Sequence, residues 1–160
     1  MVAGGDGAYS TVNVYNQSLT RTTASDLSVA RFDLGATSTN SHALFAGGMT
    51  YDARYSVVDA YDTFLTRTVA TELTQPRHRI AATTVSNHAL FGGGSIRYFG
   101  NVTSAVEAYD QLLTRTIPES LSNTLMSIGA TSIGDYALFG GGYNQDTYVY
   151  SSTVDVYTVY

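Results

Sequence analysis

The stretch AATTVSNHALFGGG, residues 81–94, is dense in Thr, Val and Phe, is split by the pair Ser86–Asn87, and ends in a run of glycine. Those residue types fit a pleated surface and the glycines disfavour a helix, so the stretch predicts two strands joined by a two-residue hairpin, Ile80–Val85 and His88–Gly92. Working outward, residues 104–116 read SAVEAYDQLLTRT. Here Ala105–Tyr109 and Leu113–Ile117 are expected as a third and fourth strand about a short turn at Asp110–Leu112. One unit is then an antiparallel meander of four strands, lettered a to d. Along strand c, Val106, Ala108 and Asp110 point one way and Ala105, Glu107 and Tyr109 the other. Neither face is cleanly apolar, and both faces are expected to be covered by neighbouring sheets.

The same phrases recur along the chain. HALFAGG stands at 42–48 and YALFGGG at 136–142, while VNVYNQSLTRT begins at Val12 and VVDAYDTFLTRT at Val57. The ALF triplets and the LTRT quartets both repeat in steps of 46 and 48 residues, and Val12, Val58, Val106 and Val154 each open a V-x-x-Y phrase. A period of this length exceeds the ~33–34 residues of common helical solenoids and falls in the range of propeller blades at ~40–50, which helical HEAT-type units overlap; the strand-forming residue types decide between them. The pairs Asn40–Ser41 and Gly134–Asp135 take the hairpin place of Ser86–Asn87. Residues 1–160 thus read as one domain divided into a partial unit 1–30, units 31–76 and 77–122, and a partial unit 123–160.

Composition narrows the classes of function. The 160 residues include no Cys, no Trp and no Lys; eight Arg against thirteen acids give a net charge of −5. That balance argues against a surface that tracks nucleic-acid phosphates. Without Cys there is no disulfide framework, thiolate zinc site or cysteine nucleophile. No apolar run approaches a membrane span of ~18 residues, and the first ten residues lack the features of a secretory signal. The compartment is left open between cytoplasm and an exposed surface.

With these marks the chain resembles the kelch family of β-propellers. The double glycine after strand b is matched by Gly4–Gly5, Gly47–Gly48, Gly93–Gly94 and Gly141–Gly142, and the tyrosine of strand c by Tyr15, Tyr61, Tyr109 and Tyr157. QPRHRIAATT, residues 75–84, is similar to the Pro-Arg lead-in before the family's innermost strand. The family tryptophan is absent. Leu19, Leu65 and Leu113, or the stems of Arg21, Arg67 and Arg115, are expected in its place. The resemblance implies four-stranded blades around a central channel, with the V-x-x-Y tyrosine as the expected packing partner of the double glycine. About three and a half units leave blade faces and edges to be covered. Two copies closing one ring of about seven blades would cover them, as would further blades of a longer propeller or a miniature four-blade ring. The copper oxidases among kelch-like propellers use a Tyr–Cys cofactor that a Cys-free chain lacks, and the sialidase S-x-D-x-G-x-x-W turn needs a Trp.

The search for chemistry yields little. His42 and His88 share one place in successive units, held by Tyr136 in the next, where a planar amphipathic residue at a strand entry explains them better than metal ligation. Asp59, Glu107 and Asp155, with Asn13, precede the repeated tyrosine by two positions. They are expected to pair with Arg67, Arg115 and Arg21 on neighbouring strand d rather than to form an acid-base dyad. The glycine runs lead into loops rather than helices, so phosphate binding is not expected, and neither an enzyme nor a cofactor is read from the chain.

What varies between units is the b-to-c loop: Met49–Ser56, Ser95–Ser104 and Tyr143–Ser152. In a meander these loops share one side of the ring with the d-to-a loops. They concentrate side chains that give large contact area at modest entropic cost. Arg54, Tyr55, Arg97, Tyr98, Phe99, Tyr143, Tyr148 and Tyr150, with Arg77 and His78 from the d-to-a loop, form the candidate binding face. The leading function is a non-enzymatic scaffold that binds a protein partner and associates with itself; a carbohydrate-binding or surface-attachment module is the alternative, and an enzyme fragment a third.

Overall fold

The computed structural model describes residues 1–3 and 7–158; the Gly4–Gly5 pair lies outside the described residues. Among these residues the chain is all β, built of small antiparallel sheets. The first sheet holds β1 (Val2–Ala3), β2 (Val12–Tyr15) and β3 (Arg21–Thr23). The second is the meander β4 (Gly35–Ser38), β5 (His42–Ala46), β6 (Val58–Asp62) and β7 (Arg67–Ala70). The third is β8 (Ala81–Val85), β9 (His88–Gly92), β10 (Val106–Tyr109) and β11 (Arg115–Thr116). The fourth contains β12 (Gly129–Ile133), β13 (Tyr136–Gly140) and, after an inserted hairpin, β16 (Val154–Tyr157). That hairpin, β14 (Tyr143–Asn144) with β15 (Val149–Tyr150), forms where the sequence predicted an irregular loop.

The expected two-residue a-to-b hairpins form in the second, third and fourth sheets. Val85 pairs with His88 across Ser86 and Asn87, both at positive φ, as a two-residue turn matched to strand twist requires. The c-to-d connections are four or five residues long, so that strand d of the third sheet starts at Arg115 and not at the expected Leu113. Asp62 and Asp110 accept the backbone N–H groups of their own turns, Phe64 and Thr66, Leu112 and Thr114. Leu19, Leu65 and Leu113 close these turns in the left-handed region. Of the three, Leu113 packs against a core cluster and Leu19 is 79% exposed.

Successive sheets stack face to face, and β8 lies against both β4 and β12. In the second, third and fourth sheets one face carries the first Val of V-x-x-Y and the other carries the Phe of ALF with the Tyr. Leu44, Ala46, Val58 and Ala60 of the second sheet bury against Phe91 and Tyr109 of the third, with Leu73 from the connection wedged between. Val85, Leu90, Val106 and Ala108 of the third bury against Phe139 and Tyr157 of the fourth, with Leu121. Val12 of the first meets Phe45 and Tyr61 of the second, with Leu27. Strand β10 is buried on both faces, as its mixed alternation predicted. A backbone chain also crosses the sheets, Arg79 N–H donating to Asp33 and Ser127 N–H to Arg79.

The double glycine serves these junctions differently from expectation. A Cβ on Gly47 would stand 2.5 Å from the Arg77 carbonyl, and one on Gly93 2.6 Å from the Leu125 carbonyl. The close neighbour is therefore the lead-in of the following unit, not the V-x-x-Y ring. That tyrosine instead sits edge-on to the Phe of its own sheet, at 5.8 Å for Phe45–Tyr61 and 5.9 Å for Phe91–Tyr109. Gly141, with no sheet beyond it, has nothing nearer than 3.9 Å.

Candidate binding face

The acidic residue of strand c, or Asn13 in its place, was expected to pair along its own sheet; Arg21 with Asn13 and Arg67 with Asp59 do so, Arg115 with Glu107 does not, and the buried charge partners come from elsewhere. Asp59 takes its main charge partner from the lead-in, Arg31 Nη1 at 2.9 Å, with both side chains fully buried; Arg67 stands at 3.4 Å and is secondary. Glu107 is paired with Arg77, again with both buried. Arg115 turns instead to the Glu72 carbonyl. Each carboxylate also accepts the N–H and hydroxyl of the preceding connection: Ser28 on Asp59, Thr74 on Glu107, Ser122 on Asp155. Arg31 spends its other donors on the Val29, Phe45 and Gly47 carbonyls. Burial pulls both guanidinium pKa values down, against the opposing pull of Asp59 and Glu107.

Two expected face residues therefore lie inside. Arg77 is buried against Glu107, and His78 is buried with Nε2–H donated to the Arg97 carbonyl at 3.1 Å. Burial, followed by the neighbouring Arg79 charge, lowers the His78 pKa. The lead-in runs beneath the loops rather than over them: His78 pairs through its backbone with Ser95, as Phe32 does with Met49 and Met126 with Tyr143. These ladders hold the b-to-c and d-to-a connections together at one end of the sheets.

The remaining candidates stay at the surface, and specific contacts join their three loops. The Arg54 guanidinium lies 5.4 Å from the Tyr98 ring centre, tying Met49–Ser56 to Ser95–Ser104. Tyr98 packs edge-on to Phe99 at 4.7 Å, and Phe99 is 76% exposed. Asp146 accepts the N–H groups of Asn101 at 2.6 Å and Val102 at 3.1 Å, tying Ser95–Ser104 to the β14–β15 hairpin. Within the hairpin Tyr143 and Tyr150 face each other at 4.9 Å, while Tyr148 and Tyr150 project into solvent. Asn144 holds the hairpin to the d-to-a connection through the Thr124 carbonyl and hydroxyl. Beside it an open cleft of about 530 Å³ is lined by Asn123, Thr124, Val149 and Tyr150 among others. Arg97 is exposed and Tyr55 half-buried on the same loops.

Sequence reasoning missed Asp146 and Asn144, the two residues that fix the geometry. Their signal was the N-x-D spacing in YNQDTYVY, since an Asn side chain that caps a turn two residues on is a common device; here Asn144 Oδ1 accepts Asp146 N–H and Thr147 N–H. His42 and His88 each bond locally, to the Ser41 hydroxyl and the Ser86 carbonyl. Among the described residues no group of three or more His, Asp or Glu side chains could hold a metal ion. No described helix is long and apolar enough to cross a membrane. No family model matches the chain, and no curated protein matches it.

Proposed function

We propose that the chain is a kelch-like propeller segment, its ring completed by self-association, that acts as a non-enzymatic scaffold and binds a protein partner through the face of b-to-c and d-to-a loops. The observation that carries this reading is the clamp of Arg54 on Tyr98 and of Asp146 on the Asn101–Val102 backbone, which fixes Tyr98, Phe99, Tyr148 and Tyr150 in exposed positions. An exposed aromatic surface held by hydrogen bonds in advance loses little further freedom on binding. Arg97 adds a charged donor at its rim. A protein partner suits this chemistry because aromatic and Arg side chains supply most of the affinity at protein interfaces.

The test compares the wild-type chain with a Tyr98→Ala/Phe99→Ala variant as bait for partners, followed by affinity measurement on the captured protein. Removing two central anchors costs about 2 kcal/mol or more, roughly 30-fold or more in Kd. Unchanged affinity with the fold intact overturns the face. Binding to a glycan array without any protein partner overturns the class.

A further inference from the structure

The described sheets form three junctions of one design, and the two halves of a fourth stand open at opposite ends of the same chain. In each formed junction the first Val of V-x-x-Y is covered by the following sheet: Val12, Val58 and Val106 are at most 1% exposed, whereas Val154 is 54% exposed. Ile133 and Val156 share that open face of the fourth sheet, and their counterparts in the third, Val85 and Ala108, are buried in the junction core. The opposite half is open on the first sheet. Tyr61 and Tyr109 are at most 1% exposed and their hydroxyls donate to the Ser25 and Thr71 carbonyls of the preceding connection; Tyr15 is 50% exposed. Arg21, one step before Arg67, donates to Asn13 at 2.9 Å.

We propose that these two surfaces are partners: the Val154 face of one copy takes the Tyr15 face of a second copy, head to tail. The inference rests on the reading of the sheets as stacked units of one ring. Its ground is complementarity already realised inside the chain. A face bearing small and β-branched residues has three times been covered by a face bearing the V-x-x-Y tyrosine; each copy leaves one face of the first kind open, and one such tyrosine, Tyr15, half-exposed on a sheet where Val2 takes the place of the Phe. The two surfaces are different, so the contact is heterologous, and it propagates until the rotation closes a ring or fails to close and forms a filament. A symmetric pairing of two Val154 faces would set two β-branched surfaces together and leave both Tyr15 faces in water.

Complementary blocking variants of the full 160-residue chain test this by light scattering after gel filtration. Wild type is expected at a multiple of 17.1 kDa. Val156→Arg, with Ile133→Arg as a second version, blocks one surface, and Tyr15→Arg blocks the other. All three sites are exposed, so native circular dichroism is expected for each. Each variant alone should be a monomer, and an equal mixture of Val156→Arg with Tyr15→Arg should restore one junction and give a dimer. Three results overturn the proposal: a monomeric wild type, a Tyr15→Arg chain that associates like wild type, or a mixture that stays monomeric. The Tyr98→Ala/Phe99→Ala variant should associate normally. A monomeric wild type that still captures a partner through Tyr98 and Phe99 overturns the junction alone, and normal association without such capture overturns only the loop face.

Discussion

Replacing Arg77 by Leu isolates the buried ion pair. The Arg77 and Glu107 side chains are both fully shielded from solvent, so removing the guanidinium leaves a carboxylate in the interior with only the Thr74 N–H and hydroxyl to stabilise it. Leu is the residue already present at the matching place in the next unit, Leu125, so the backbone should accept it. Breaking one side of such a pair costs about 3–5 kcal/mol, a large part of the roughly 5–15 kcal/mol that holds a domain together. At about 2–4 °C per kcal/mol for a chain of this size, the melting point should fall by about 6–20 °C. Chemical denaturation at fixed protein concentration, fitted for midpoint and slope, measures the loss. Adding Glu107→Val should restore most of it, because the isolated charge is then gone and an apolar pair fills the site. A single variant that loses less than about 1 kcal/mol, or a double variant as unstable as the sum of its parts, would refute the assignment of Arg77 as the charge partner on which Glu107 depends.

Three further outcomes follow from other positions. Gly47→Ala should be far more damaging than Gly141→Ala: both sit at positive φ, but only at Gly47 does the new Cβ meet a carbonyl at 2.5 Å, so Gly141→Ala should lose only the backbone strain of about 1–2 kcal/mol. Leu19→Gly should stabilise the chain by up to about 1 kcal/mol in the same denaturation assay, since Leu19 is exposed at φ 59° and a glycine relieves the left-handed strain. Acid and base should act through opposite groups. The His78 pKa is lowered on folding, so the unfolded chain takes up the proton first; stability is full above the ordinary His value of about 6.5 and falls below it by up to about 1.4 kcal/mol per pH unit, a slope that His78→Gln should reduce. Burial raises the phenols of Tyr61 and Tyr157 to about 12; their contribution is full below the ordinary value of about 10 and is lost as pH rises through about 12, which phenolate absorbance will show as a late-titrating pair.

The strands were legible because each carries its own local signal. The pair Ser86–Asn87 fixes one hairpin, the alternation in SAVEAYD anticipates a strand covered on both faces, and the repeat carries both readings to the other units. The buried charges were not legible, because Arg is ordinarily a solvated side chain and Arg77 stands in a polar-looking lead-in. Only the connection passing beneath the loops takes it inside, and that is a property of how two sheets meet. The available clue was spacing: Arg31 and Arg77 are one 46-residue step apart, as Asp59 and Glu107 nearly are at 48. Of the proposed face, the b-to-c residues stayed at the surface and the two lead-in residues did not.

The carboxylate of strand c has a task that does not depend on its arginine. In three junctions it accepts an N–H and a hydroxyl from the preceding connection, and in the third, at Asp155, it does so opposite Leu125. What distinguishes that junction is solvent. Asp59 and Glu107 are wholly buried, whereas Asp155 is partly exposed and its bonds to Ser122 lie at the surface. A carboxylate within reach of water keeps its charge without a guanidinium; one sealed between two sheets needs the opposite charge beside it. The acid is thus the part that docks one connection onto the next sheet, and the arginine is the part required once a junction is closed over it. The lead-in that brings the arginine also carries the carbonyl that only a glycine can accommodate at Gly47 and Gly93, so charge compensation and close backbone approach are two consequences of a single inward path of the chain.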